Sequence, residues 1–223
     1  MRTFSLPAPI ATTGAERATL VRRTYALVFA YIVVTVLGTM LGLTQPELMT
    51  AAARHPFLTF IVAFIPLMMA GRQRQSPARS MGLVFCFALV MGVAISPAIF
   101  FYGRTQPGII GQAALLTLSS FGVLTLFAWF SRRDFSEWGA FFVVGLWVLL
   151  ATSVLNIFFG NETSNLWLAG ASVLVFSGLL VFDTWRLKKV YGPDDYVIAA
   201  VQIYLDLLNM FMAILRLLGG RRD

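Results

Sequence analysis

The chain has 223 residues, of which 58% are hydrophobic and only 12% charged, with a mean hydropathy of +0.79. Soluble domains carry roughly 25% charged residues, so a water-soluble fold of this length could not cover its surface, and the composition implies a bilayer as solvent. The net charge of +7 is distributed between apolar runs, a mark of membrane topology rather than of a nucleic-acid-binding face, and the lone Cys86 allows no intrachain disulfide.

Residues 1–23 are polar, contain Pro7, Pro9, Arg2, Arg17, Arg22 and Arg23, and lack the apolar stretch and cleavage site of a signal peptide. They are expected to form a cytoplasmic tail. Seven apolar runs follow, at 25–43, 57–70, 81–102, 109–130, 138–159, 166–185 and 197–218. Their length and spacing suit spans of about 20–25 residues. They are continuous rather than alternating, which excludes a barrel and leaves helix as the structure that satisfies every backbone group in lipid. The expected fold is therefore all-α: one polytopic transmembrane domain over 24–219, closed by a short tail at 220–223. In the first run Gly38 and Gly42 form a GxxxG spacing, and Gly170 to Gly178 lines a face of the sixth; both suit close helix packing. The connection around Arg54, His55 and Pro56 reads as a short outer loop, with His55 lacking the company a metal site needs. The second run is short and carries Pro66, so it must kink or borrow residues from its flanks. Trp129, Trp138, Trp167, Trp185 and Tyr102 sit near helix ends, where amphipathic rings favour the interface.

Orientation follows from the basic residues. The connections alternate rich and poor: four arginines in the N-terminal segment, then Arg54, then Arg72, Arg74 and Arg79, then Arg104, then Arg132 and Arg133, then none near Glu162, then Arg186, Lys188 and Lys189. This places the N-terminus in the cytoplasm. Arg216, Arg221 and Arg222 break the alternation, so the last segment either crosses despite its charge or dips in and returns. Its length favours a crossing.

Asp183, in Leu-Leu-Val-Phe-Asp-Thr-Trp, and Asp206, in Gln-Ile-Tyr-Leu-Asp-Leu-Leu-Asn, stand inside the last two apolar runs. A central membrane aspartate costs on the order of 2.5–3.5 kcal/mol on insertion scales and usually faces an interior or a pathway. Gly192-Pro193-Asp194-Asp195 is a turn signal. The arms from it to the two aspartates are about 14 and 17 Å as helix, so an antiparallel hairpin sets both at similar depth. If they meet, two carboxylates in a low-dielectric site cannot easily both ionise, and the pair titrates as a unit. The alternative is two unrelated aspartates, one snorkelling and one satisfied by Asn209 or Gln202. Asn209 is the expected polar support near the pair.

Several blocks resemble the Bax inhibitor-1 (transmembrane Bax inhibitor motif) family: Phe182-Asp183-Thr184; Ile-Tyr-Leu-Asp-Leu-Leu-Asn-Met-Phe at 203–211; and Leu-Arg-Leu-Leu-Gly at 215–219. Supporting blocks are Arg22-Arg23-Thr24-Tyr25, Gly92 to Pro97, 113–121 with its Thr117, and Asn156-Ile157-Phe158. The resemblance implies a seven-helix bundle with the last helix central, a paired-aspartate proton sensor at Asp183 and Asp206, and the calcium-leak activity of bacterial relatives. It also implies an arginine latch near the end of the second span, here Arg72 with Arg74 as the alternative; positive-inside topology accounts equally for both.

Calcium prefers several hard oxygen ligands. Asp183 and Asp206 therefore offer a weak, transient calcium site, suited to a permeant ion rather than a tightly bound cofactor. No phosphate-binding loop or nucleophile elbow occurs, and no enzyme activity is expected. An intramembrane aspartyl protease would need Gly-x-Gly-Asp where Asp206 follows Ile-Tyr-Leu. Two functions remain: a pH-sensitive cation leak with calcium and protons as its ions, or a regulatory protein binding a membrane quality-control protease or another membrane partner. A bacterial inner membrane is the expected setting.

Overall fold

The computed structural model describes residues 13–72 and 77–220. These form α1 (Gly14–Thr44), α2 (Pro46–Arg54), α3 (Pro56–Arg72), α4 (Pro77–Thr105), α5 (Ile109–Phe130), α6 (Trp138–Phe159), α7 (Glu162–Lys189) and α8 (Tyr196–Gly219), with no strand among the described residues. By length and composition, α1 and α4 to α8 can each cross a bilayer.

The second span is built differently from the expectation. α3 has 17 residues, about 25 Å of helix, short of a hydrocarbon core of about 30 Å. The presumed outer loop before it is itself the helix α2, opened by Pro46 in its first turn. α2 and α3 are bent by 104° at a break marked by His55. By length and composition the bent pair makes either one broken span, the seventh, or a re-entrant segment, with Pro66 carried inside α3.

Helix starts follow local capping rather than the onset of apolar sequence. Thr13 N–H donates to Glu16 Oε2 at 2.8 Å and Glu16 N–H to Thr13 Oγ1 at 3.3 Å, a capping box that begins α1 at Gly14. Residues 14–23, expected as tail, are therefore helix. Asn161 and Ser164 exchange the same pair of bonds, each 2.8 Å, and start α7 four residues before the expected 166.

The single domain expected over 24–219 is made of two compact units. One comprises the described residues within 1–18, 108–193 and 205–223; the other comprises those within 19–107 and 194–204. In the first, α5 and α6 pack on α7 around Ala128, Phe135, Phe142, Val181, Phe182 and Trp185. Trp185 is thus core rather than an interfacial anchor, its ring stacked on Phe182 at 6.0 Å; Trp138 and Trp167 are exposed. Gly178 is needed for this packing, since a Cβ there would lie 2.2 Å from the Phe142 ring, whereas Gly170 faces open space.

In the second unit α3 and α2 pack on α4, and α1 meets α4 backbone to backbone. A Cβ at Gly38 would stand 2.1 Å from the Leu89 carbonyl oxygen, and one at Gly92 would stand 2.2 Å from that of Thr35. The GxxxG spacing therefore serves close approach. Thr39 Oγ1 uses the proximity, donating to Gly92 O at 3.1 Å. Of the six long spans α8 is the most enclosed: 61% of its most apolar 18-residue stretch is buried, against 11–39% in the others.

Candidate functional site

α7 carries three basic residues in its last turn, Arg186, Lys188 and Lys189, favourable against the negative end of the helix dipole. Arg17 Nη1 adds bonds to the carbonyls of Leu187 at 2.9 Å and Tyr191 at 2.7 Å, and Lys188 Nζ donates to the Trp129 carbonyl. The end of α7 is thus tied down before the chain turns through Pro193 into α8.

Asp183 lies six residues before the last residue of α7, and Asp206 ten residues after the first of α8. They are 6% and 4% exposed, and their carboxyls are close neighbours. The depth matching read from the turn signal thus ends in contact. A carboxylate has acceptors only, so a bond between two carboxyls needs a proton on one of them. Asp206 Oδ2 is buried with no donor from the protein. Buried polar groups are normally satisfied, and a proton shared with the neighbouring Asp183 carboxyl would give this atom its donor.

One charged neighbour was not expected there. Arg186 Nη1 is 3.2 Å from Asp183 Oδ1, and its guanidinium lies over the rings of Phe182 at 5.5 Å and Tyr191 at 4.8 Å. In sequence Arg186 reads as a topological charge; the available signal is its i,i+3 spacing from Asp183 on one helix face. Asp183 therefore faces a guanidinium on one side and a carboxyl on the other.

The other expected site residues fare differently. Asn209 is exposed and its amide donates to Leu205 O of its own helix at 2.8 Å, so that bond does not support the pair. Arg74 and the side chain of Arg72 lie outside the described residues. Asn156, on α6, bonds across to α7, donating to Asn165 Oδ1 and accepting from Ser164 Oγ. Among the described residues no group of three or more His, Cys, Asp or Glu side chains comes together. The pair thus offers two carboxyls to a cation, far below the six to eight oxygens of a resident calcium site.

A family model described as "Inhibitor of apoptosis-promoting Bax1" matches residues 17–223. Protein lifeguard 4 of Mus musculus is 31% identical over 205 residues, covering 91% of this chain and 85% of that protein. Bax inhibitor 1 of Schizosaccharomyces pombe is 31% identical over 207 residues, covering 91% and 77%. An uncharacterized protein of Helicobacter pylori is 29% identical over 206 residues, covering 92% and 87%. With the match running from the first turn of α1 to the C-terminus, and two buried aspartates meeting between the last two helices, the chain belongs to the Bax inhibitor-1 family.

Proposed function

We propose that this protein is a pH-sensitive cation leak of the membrane, with calcium as the permeant ion and the Asp183–Asp206 pair as the proton sensor. The observation that carries the reading is the proximity of two buried carboxyls from consecutive helices, which can bond to each other only through a proton. With the proton in place the pair clasps α7 to α8. When it leaves, two like charges face each other in a medium that screens them little, and the clasp loosens. A passing cation then meets two carboxylates, enough to replace part of its hydration and too few to retain it. This activity needs no catalysis and no resident cofactor.

The alternation of basic connections supports a cytoplasmic N-terminus, and the Helicobacter pylori relative supports a bacterial inner membrane as the setting. Purified protein in liposomes is expected to pass calcium at a rate that depends on pH. Asp183→Asn and Asp206→Asn should each change that dependence; an unaltered pH response in both variants would remove the sensor.

A regulatory role is the second reading, favoured by the family description, which names an inhibitor. Here the chain would bind another membrane protein, such as a quality-control protease, with residues 1–23 as the handle, of which 1–12 lie outside the described residues. Deleting them should abolish co-purification with such a protease and leave calcium flux intact. Retained co-purification would speak against the handle.

A further inference from the structure

We propose that Arg186 is a tethered competitor at the cation site: its guanidinium occupies the Asp183 carboxylate and sets how strongly a passing cation can hold there. This rests on reading the aspartate pair as a cation pathway. The contact at 3.2 Å joins residues one helical turn apart, so it forms whenever α7 is folded and requires no other helix to move. The guanidinium is also held in place. It lies over Phe182 and Tyr191, cation–π contacts that favour a cation at the ring face, and the Tyr191 carbonyl is itself bonded to Arg17 at 2.7 Å. The Arg186 side chain is 22% exposed against 8% for Asp183, so the cation sits at the edge of the pair, where an incoming ion would have to pass it.

Among the described residues, the surrounding charges leave this role to Arg186. α5 and α6, the helices packed on α7, carry no charged residue. α8 contributes Asp206 and then Arg216, ten residues on and about 15 Å along the axis. Lys188 is directed to the Trp129 and Ser131 carbonyls, and Arg17 to those of Leu187 and Tyr191. With both aspartates ionised, the site bears a net single negative charge while Arg186 is present and a double one without it. Arginine keeps its charge at every pH of interest, so the competition is constant. A divalent ion should therefore bind weakly and leave quickly, as conduction requires.

The test is calcium uptake into liposomes at one fixed pH, measured against calcium concentration for wild type, Arg186→Gln and Arg186→Lys. Arg186→Gln is expected to lower the half-saturating calcium concentration by about fivefold, the size of a partly exposed ion pair. Its maximal rate should fall as the ion leaves more slowly. Arg186→Lys, which keeps the charge, should restore the wild-type half-saturation. Tyr191→Leu, which removes one ring from the guanidinium, should move it in the same direction as Arg186→Gln by a smaller factor, and serves if Arg186→Gln does not fold. Calcium uptake by wild type with the same half-saturation in these variants would overturn the competitor role alone. No calcium uptake by wild type would overturn the pathway reading and this inference with it.

Discussion

Each unit buries polar side chains, and the two do so in different ways. In the unit containing most of α1 to α4, Thr35 Oγ1 donates to Tyr31 O at 2.8 Å, which uses its proton. The 2.6 Å contact with Tyr204 must then have the tyrosine as donor. The single Thr39 hydroxyl proton is shared between Thr35 O at 2.9 Å and Gly92 O at 3.1 Å, and the rings of Tyr31 and Phe87 stand edge-on to Tyr204. Thr35, Thr39 and Tyr204 each present a neutral hydroxyl with a backbone or side-chain partner. In the other unit Asp183 and Asp206 are as deeply buried, yet neighbouring carboxyls can bond to each other only while a proton is shared. The difference teaches where a switch can lie. Hydroxyls closed by backbone carbonyls hold two helices together at any pH, whereas facing carboxyls hold them under some conditions only. Tyr204 and Asp206 are two residues apart on α8, so one helix carries both kinds of contact.

The strongest way to break the comparison is to destroy the fixed contact. A Cβ at Gly92 would meet the Thr35 carbonyl oxygen at 2.2 Å and the Thr39 nitrogen at 2.7 Å. These are backbone atoms that cannot swing aside, so Gly92→Leu should cost about 3 kcal/mol or more, the upper range for overpacking. The expected result is loss of folded protein in a detergent melting assay. Gly122→Ala, where a Cβ meets nothing within 4 Å, should melt like wild type. A Gly92→Leu protein as stable as Gly122→Ala would mean that α1 and α4 are not in backbone contact.

A smaller effect on stability and a larger one on response are expected from Asp206→Asn. The sign follows from the proton. If the pair is the proposed proton sensor, its bond in wild type is complete at low pH and is lost as pH rises, because two carboxylates have no donor between them. An amide at position 206 donates permanently, so the separation of α7 and α8 should stay short across the range. Asp183→Asn also supplies a permanent donor but abandons Arg186, leaving that cation without its carboxylate; it should hold the clasp with lower thermal stability. Spin labels placed on the exposed positions 189 of α7 and 209 of α8 would read the separation against pH. A wild-type pH course retained by Asp206→Asn would show that the carboxyls do not control the helices.

Much of this arrangement is legible in the sequence for physical reasons. A run of apolar residues in lipid has helix as its only local solution, so 109–130 and 138–159 match α5 and α6 residue for residue. The aspartate contact is legible because a turn signal and a fixed rise per residue convert sequence distance into depth. Facing sides are not encoded that way, which is why Asn209, three residues beyond Asp206, was open as a partner and points elsewhere. Helix ends were missed where short polar motifs decide them: Thr13 with Glu16, and Asn161 with Ser164, outrun the apolar pattern. α2 was missed because nine residues with one Pro and one Glu in the first turn resemble a loop by composition. Arg186 was missed because topology already accounted for it, and one positive charge can serve both purposes.

The mildest test sharpens the comparison from the neutral side. Tyr204→Phe removes the hydroxyl that donates to Thr35 while leaving Thr35 its own bond to Tyr31 O, so no donor is orphaned. The ring, 1% exposed and packed edge-on against Tyr31 and Phe87, keeps its contacts. The loss should therefore be about 0.6 kcal/mol, the mean for a hydrogen bond between membrane helices. It should be the same at every pH at which the protein can be melted. A cost that grows or shrinks with pH would mean that the hydroxyl network senses the proton two residues away on α8, and that fixed and conditional contacts on this helix are one device.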